Sequence, residues 1–428
     1  MSQTRTRRCL LGLTLGVTLA FAAHARPPTA PDTSMQAPIL EFEFPGLEIG
    51  IAEYEHGPTG TTVFHFPEPV KAAIDVRGGS PGSFQSQALL AMYDAAFTNA
   101  VVFSGGSSYG LSAAAGAAEA LRDRAESPGD WRQIAFVPGA IIFDLGGRRL
   151  NAVTPDAPLG RAALEAARPG RFPLGAQGAG RFAMQGWFFD DPQHSGQGGA
   201  VRTLGDVRVG VFTVVNPLGT LVDRSGRVAR CGEFDDADCP TIAERFEQRF
   251  RTLDAEASAS ATAGPTANTT ITLVIINVDL PIAELRRLAM QVHGSMARAV
   301  QPFATINDGD TLIAVTTAEL DESPADLGEL GLLASETAWD AVLASIPERP
   351  APASTQPLTW SDAELDRVAG RYAFSDWAEI RIERQGDRLF VTGPDIGSLY
   401  FPTGERVALT PVSGDEAIID HGARYRMR

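Results

Sequence analysis

Three hydroxyl side chains lie in sequence contexts that favour nucleophilic chemistry, and two of them are serines. Ser80 and Ser108 each occupy the centre of a Gly-x-Ser-x-Gly pattern. Ser108 also lies between a predicted strand and a predicted helix, as a nucleophile elbow requires. A serine of this kind needs a histidine as its base, and His293, on a predicted amphipathic helix, is the best placed. A serine hydrolase that uses Ser108 therefore stays open as an alternative.

The third hydroxyl belongs to Thr269 and needs no histidine, because the α-amine of a terminal residue can itself act as the base. A linker rich in Ala, Ser and Thr ends at Asn268, and a β-branched run follows at once. A Thr269 hydroxyl held at the start of a buried strand can attack the carbonyl of Asn268, and hydrolysis of the resulting ester leaves Thr269 as a new amino terminus. The Asn-Thr-Thr triplet is equally a glycosylation acceptor and an ordinary strand start.

The elements that would position these residues alternate between short apolar runs and small-residue helices. Strands are predicted at 101–103, 207–216, 268–276 and 311–316, and helices at 111–125 and 283–300. This alternation predicts a layered α/β domain over residues 26–346. A Pro-rich linker at 347–357 then leads to residues 358–428, whose alternating runs and glycines predict a small antiparallel, β-barrel-like domain.

The first 25 residues read as a cleavable signal peptide, with three arginines, an apolar run of about 15 residues and then small residues. The protein is therefore expected to be periplasmic or secreted. A twin-arginine signal and an uncleaved anchor are the alternatives. No later segment is long and apolar enough to span a bilayer, so no membrane partner is expected.

Cysteine usage agrees with export. Cys9 leaves with the signal, and Cys231 and Cys239 lie eight positions apart in an acidic stretch, which favours a local disulfide. A zinc-binding pair and two unpaired thiols are the other possibilities. No His, Cys and carboxylate cluster has metal-ligand spacing, so no metal or other cofactor is expected.

The charge balance excludes one large class of partner. The chain of 428 residues has 36 Lys and Arg against 52 Asp and Glu, a formal net charge of −16. Nucleic-acid binding needs clustered positive charge to neutralise phosphates, and the sequence has none.

Seven segments, in order and spacing, carry a resemblance to a known family. They are 75–82 (DVRGGSPG), 104–111 (SGGSSYGL), 137–145 (VPGAIIFDL), 214–216 (VVN), 268–271 (NTTI), 286–289 (RRLA) and 308–310 (DGD). Across residues 40–320 the chain resembles the L-aminopeptidase/D-esterase (DmpA-like) family of self-processing, Ntn-hydrolase-like enzymes. The resemblance implies a four-layer αββα sandwich, cleavage before a Ser or Thr, and hydrolysis of amides with a free amine near the scissile bond.

The resemblance also implies roles for individual residues. Thr269 is similar to the nucleophile and new amino terminus, so cleavage is expected between Asn268 and Thr269. Asn216, at the end of a strand, is similar to the family's oxyanion donor, and an amide suits that role because it donates without titrating. Asp308 and Asp310 match an acidic pair near the nucleophile, and the glycine between them would let both carboxylates face one pocket.

Three residues of the inferred substrate pocket are Tyr109, Phe143 and Gln197. Gln197 stands where many relatives have a lysine, and Phe143 where some have a tyrosine hydroxyl. We therefore expect an exported, self-processing aminopeptidase or amidase for short peptides or amino-acid amides, as a homo-oligomer of processed units. A non-catalytic or weakened binding protein, and an acyltransferase of the related ornithine-acetyltransferase type, are the alternatives.

Overall fold

The structure is a computed structural model that describes residues 30–55, 58–145, 153–231, 238–256, 268–347, 359–375, 378–392, 406–411, 417–421 and 423–427. The predicted signal peptide, and all of the predicted linker except Pro347, lie outside the described residues. None of the helices in these ranges is long and apolar enough to cross a membrane.

The strands, in chain order, are β1 (Ile39–Glu41), β2 (Glu48–Tyr54), β3 (Thr59–Val76), β4 (Ser83–Phe84), β5 (Thr98–Ser104), β6 (Gly139–Ile141), β7 (Arg168–Pro169), β8 (Arg171–Pro173), β9 (Met184–Gln185), β10 (Gln193–His194), β11 (Gln197–Leu204), β12 (Val207–Asn216), β13 (Thr220–Leu221), β14 (Thr269–Val278), β15 (Val300–Gln301), β16 (Thr311–Leu320), β17 (Gly370–Ser375), β18 (Ala378–Gln385), β19 (Arg388–Thr392), β20 (Arg406–Pro411), β21 (Ala417–His421) and β22 (Ala423–Met427). The helices are α1 (Ser86–Leu90), α2 (Ser112–Arg124), α3 (Ala157–Glu165), α4 (Ile242–Glu256), α5 (Ile282–Ser295), α6 (Leu327–Leu343) and α7 (Asp362–Val368).

The long strand β3 belongs to two sheet layers. Its first half pairs with β2 and β5, and its second half pairs with β16. The first layer has the strand order β11-β12-β14-β16-β3, in which only β14 and β16 run parallel. The second layer contains β7, β2, the first half of β3, β5, β6 and β4.

Three apolar clusters fix the order of the layers. One fills the space between the sheets and includes Phe64, Phe212 and Leu273. A second packs α5 and α6 on the outer face of the first sheet, and a third packs α2 and α3 on the outer face of the second. The predicted four-layer αββα sandwich is therefore confirmed.

Side-chain alternation along β14 decides which residues face the interior. Ile271, Leu273 and Ile275 point between the sheets, whereas Val274 and Ile276 point to the outer helices. Thr269 has the same parity as Ile271, so it faces the inter-sheet space at the beginning of the strand. All ten residues of β14 are buried, as its β-branched composition predicts.

Beyond the sandwich, β17 to β22 form one six-stranded antiparallel sheet, which confirms the predicted small antiparallel region. The predicted disulfide is also present, because Cys231 and Cys239 are bonded with their Cα atoms 5.7 Å apart.

Candidate active site

Thr269 and Asn216 are direct neighbours across two antiparallel strands. The register of β12 and β14 sets Asn216 opposite Thr269, the last residue of one strand against the first of the other. Opposed residues share a face of the sheet with their Cβ atoms about 5 Å apart. Both side chains therefore lie in the inter-sheet space, where Asn216 is fully buried and Thr269 is 2% exposed.

Backbone contacts fix the orientation of the Asn216 amide. The Met184 N–H donates to Asn216 Oδ1 at 3.0 Å, and Asn216 Nδ2 donates to the Phe143 carbonyl at 3.1 Å. Because an N–H can bind only the oxygen of an amide, Met184 determines which end of this side chain is the donor end. Phe143 reaches the site from the second sheet through its backbone carbonyl.

The Thr269 hydroxyl is hydrogen-bonded to the carbonyl group that it would attack. Thr269 Oγ1 donates to the carbonyl oxygen of Asn268, and the Gly309 N–H donates to the same oxygen at 2.8 Å. A Cβ at position 309 would lie 2.7 Å from Thr269 Oγ1 and from the Ser80 carbonyl. Only glycine fits between them.

Asp308 and Asp310 accept hydrogen bonds from several backbone segments around Thr269 and so connect these segments. Asp308 accepts from the Leu218 N–H at 3.0 Å, just after Asn216, and from the Thr305 N–H and hydroxyl. Asp310 accepts from the Thr270 N–H at 2.6 Å and from the Ala304 N–H at 3.0 Å. Both carboxyl groups are fully buried.

This burial has an electrostatic consequence. Loss of hydration, and second the charge of Asp308, raise the pKa of Asp310 to about 8. Burial thus favours the protonated form of this carboxyl group, which accepts from the N–H of Thr270, the residue next to Thr269. Such a pair can bind or release a proton beside a nucleophile.

The two Gly-x-Ser-x-Gly segments have different surroundings. The Ser80 N–H donates to the Asp308 carbonyl at 2.8 Å, so this loop packs against the acidic pair. Ser108 and Tyr109 are exposed, Tyr109 at 72%, on a 3-10 helix (Ser107–Leu111) after β5. The structure does not bring Tyr109 into the hydrogen-bonded cluster around Thr269.

His293, the base considered for Ser108, lies elsewhere. It is buried on α5, over the outer face of the first sheet, and its Nδ1 is 2.9 Å from Asp75 Oδ2. Burial lowers its pKa. Because Ser108 follows a strand of the second sheet, the two residues do not form a nucleophile and base pair.

Gln197 is buried on the same inter-sheet face as Thr269, but its amide has other partners. Thr62 Oγ1 donates to Gln197 Oε1 at 2.8 Å, and Gln197 Nε2 donates to the Pro173 carbonyl at 2.7 Å. Gln197 opposes Val214, which in turn opposes Ile271. It therefore lies two strands from β14, level with Ile271 rather than with Thr269, and its role in substrate binding stays a prediction.

Sequence reasoning missed the contributions of Met184 and Gly309. Both act through backbone N–H groups, which no side-chain pattern reveals. For Gly309 the two flanking aspartates were a partial signal, whereas Met184 has none. In the part of the chain that the structure describes, no three His, Cys, Asp or Glu side chains come together as metal ligands.

Comparison with known proteins identifies the family of the chain. Peptidase family S58 matches residues 43–351. A protein of Paenarthrobacter ureafaciens named 6-aminohexanoate-oligomer endohydrolase is 43% identical over 329 residues, 73% of this chain and 88% of that protein. An uncharacterized aminopeptidase of Mycobacterium tuberculosis is 32% identical over 286 residues, 65% of this chain and 78% of that protein.

A solved structure of a Pyrococcus horikoshii protein has a TM-score of 0.51 at 16% identity, over 70% of this chain and 84% of that one, which indicates a shared fold alone. The extent of the family match, together with the identity to these relatives, establishes the family. The chain belongs to peptidase family S58.

Proposed function

We propose that this protein is an exported, self-processing amidohydrolase with Thr269 as its amino-terminal nucleophile. The observation that carries the proposal is the hydrogen bond from the Thr269 hydroxyl to the Asn268 carbonyl oxygen. Asn216 lies directly opposite Thr269 on the neighbouring strand. This arrangement suits attack on an amide both in the intact chain and after cleavage.

Self-cleavage begins with attack of Thr269 Oγ1 on the carbonyl carbon of Asn268. The Gly309 N–H, already bound to that carbonyl oxygen, stabilises the negative charge that develops there. The C–N bond then breaks and the nitrogen of Thr269 takes up the proton that Oγ1 gives up, which leaves a free amine on Thr269 and an ester between Asn268 and the hydroxyl. Water hydrolyses the ester, which releases Asn268 as a carboxylate and restores the Thr269 hydroxyl.

Turnover repeats this chemistry on a substrate amide. The freed amine accepts the hydroxyl proton as Oγ1 attacks, and Asn216 Nδ2 donates to the oxyanion. The leaving amine departs with a proton, and water then hydrolyses the acyl-enzyme. Asp308 and Asp310 orient the terminal ammonium and exchange protons with it.

The substrates that we propose are short amides built from amino acids. The carbonyl and N–H of Asn268 bind Gly309 and Asn307 as a strand residue would. The acyl part of a substrate would take the same two backbone bonds after Asn268 leaves. The relative of 43% identity is named for hydrolysis of 6-aminohexanoate oligomers, which are linear amides of this kind.

The test is hydrolysis by purified wild-type protein of a panel of linear 6-aminohexanoate oligomers, short peptides, amino-acid p-nitroanilides and esters. The matched control is Thr269→Ala, prepared identically. We expect amide hydrolysis by the wild type alone, and the lengths of the products distinguish internal from terminal cleavage. No hydrolysis across the panel, in a sample shown to contain a fragment that begins at Thr269, would reject the proposed enzymatic function in favour of a binding protein.

A further inference from the structure

The segment 182–188 lies directly behind the oxyanion donor. Besides the Met184 bond to Asn216, the Gly186 N–H donates to the Gly219 carbonyl at 2.7 Å and the Phe188 N–H to the Leu218 carbonyl at 2.9 Å. Leu218 in turn donates to Asp308. One side of this segment therefore holds the backbone that follows Asn216, together with the Asn216 amide itself.

The other side of the segment is part of the core of the C-terminal β region. Phe182 and Met184 are each 1% exposed and belong to one apolar cluster with Trp360, Leu365 and Ile382. Further members of the cluster come from β19 and β20, and Trp187 packs at its edge. The side chain of Met184 thus contributes to the β region's core, while its N–H binds the oxyanion donor.

This core combines residues from inside the region that matches the family with residues from beyond it. The family match ends at residue 351, so Trp360 and the six-stranded sheet lie beyond it. Phe182 and Met184 lie inside it. The chain therefore carries an addition whose apolar core is completed by residues from directly behind the candidate active site.

We propose that the C-terminal β region positions Asn216, with Trp360 as a positioning residue that acts through Met184. Packing of Trp360 against the 182–188 segment fixes the Met184 N–H, which selects the orientation of the Asn216 amide. Without that packing the Met184 bond to Oδ1 weakens, and the amide, still bonded to the Phe143 carbonyl, holds its donor end less firmly on the oxyanion. This inference rests on the proposed function of Asn216.

The region also links the two products of the proposed cleavage. Phe182, Met184 and Asn216 precede the Asn268–Thr269 bond, whereas Trp360 follows it. After cleavage, the apolar cluster that Trp360 shares with Phe182 and Met184 joins the fragment that bears the oxyanion donor to the fragment that bears the nucleophile.

The first test measures turnover per Thr269 amino terminus in full-length Trp360→Ala and Trp360→Phe. Because small displacements of catalytic groups have large effects on rate, we expect Trp360→Ala to lower kcat about tenfold with KM changed by less than about twofold. Trp360→Phe should recover most of the rate. Val342→Ala, in the cluster under α6, is the control for loss of buried volume and should leave kcat unchanged.

A double-mutant cycle shows whether the effect passes through Asn216. In an Asn216→Ala background, Trp360→Ala should change kcat by less than about twofold, because the amide that it positions is gone. An equal loss of rate in both backgrounds, or unchanged kcat in Trp360→Ala when the wild type is active, would overturn the inference.

A readout that needs no activity separates this inference from the proposed function. In uncleaved Thr269→Ala protein, we expect Trp360→Ala to speed amide hydrogen exchange in 182–188 by at least about tenfold, and Val342→Ala to leave it unchanged. Unchanged exchange in both variants would overturn the inference even if the enzyme is active. Failure of wild-type hydrolysis, with the expected exchange result, would instead reject the proposed function.

Discussion

Two groups of buried polar residues occupy the space between the sheets, and they are built differently. Around Gln197 the groups are neutral, and the amide binds the Thr62 hydroxyl and the Pro173 carbonyl. Around Thr269 two buried carboxyl groups lie close together, and one has a raised pKa. The Thr269 hydroxyl donates to the carbonyl oxygen of the preceding residue, Asn268.

The difference shows why burial of polar residues does not by itself identify an active site. A neutral, hydrogen-bonded group such as that at Gln197 adds stability and joins the two sheets. Two carboxyl groups packed together are costly, because each loses hydration and each opposes ionisation of the other. Groups with strongly shifted pKa values of this kind cluster at functional sites.

Thr269→Ala removes the proposed nucleophile and should have the largest effect. We expect complete loss of cleavage and of hydrolysis together, because both need Oγ1. Thr272→Val is the matched control: Thr272 is equally buried on β14, but its hydroxyl bonds Thr213 on the outer face. Mass spectrometry and the amide panel measure both effects. Cleavage in Thr269→Ala, or its loss in Thr272→Val, would contradict the assignment.

Asn216→Ala should have the next largest effect. Loss of one oxyanion donor lowers kcat by roughly 10² to 10³. Removal of the amide also leaves the buried Met184 N–H without this bond, at a cost of about 1–3 kcal/mol in unfolding free energy. Kinetics and chemical denaturation measure the two quantities separately.

The control for Asn216 is Asn277→Ala. Asn277 is also fully buried and makes two hydrogen bonds to backbone groups, but near the opposite end of β14. We expect a similar loss of stability and normal kcat. Normal kcat in Asn216→Ala would place the oxyanion site elsewhere.

A smaller effect is expected in the pH dependence of stability. Because the pKa of Asp310 is raised from 3.8 to about 8, the folded protein binds a proton that the unfolded chain has released between these values. Stability from this group is thus present at low pH and is lost as the pH rises towards 8, by at most about 1.4 kcal/mol per pH unit.

Asp310→Asn removes this titration. Measured in the uncleaved Thr269→Ala protein, the destabilisation caused by Asp310→Asn should therefore be larger at pH 5 than at any higher pH and shrink towards pH 8. A destabilisation that stays constant from pH 5 to pH 8 would show that Asp310 is ionised in the folded protein over this range.

Gln197→Lys is expected to have the smallest effect and tests whether the two groups communicate. Position 197 lies two strand spacings across the sheet and two residues along it from Thr269, a separation of roughly 12 Å. At that distance the charge of a lysine lowers the pKa of the Thr269 amine by at most about one unit. The acid limb of kcat/KM then moves to lower pH. Gln197→Met loses the same hydrogen bonds without adding charge. Identical pH profiles in the two variants would mean that Gln197 does not influence the nucleophile.

Much of the fold follows from local pattern. The strand predicted at 207–216 ends at Asn216 in the structure, and the strand predicted from 311 begins at Thr311 but extends to Leu320. Its last four residues are half-buried or exposed, so they lack the apolar signal that marked the rest. Hydrophobic periodicity indicates buried residues, so it does not reveal the part of a strand that extends beyond the core.

Strand β3 illustrates what local pattern cannot predict. It contains Pro67 and Pro69, which normally argue against a strand. In the structure Pro67, Glu68 and Pro69 are exposed between the half that pairs in the second sheet and the half that pairs in the first. A change of sheet is a tertiary event, and so is the contact between Met184 and Asn216.

Cleavage of the chain before Thr269 is tested directly by the intact mass and the amino-terminal sequences of the purified wild-type protein. From the mean residue mass of a 45.4 kDa chain of 428 residues, residues 26–268 and 269–428 should appear as fragments of about 26 and about 17 kDa. The smaller fragment should begin Thr-Thr-Ile-Thr. A single species of about 43 kDa after prolonged incubation, with no amino terminus at Thr269, would show that the protein does not process itself.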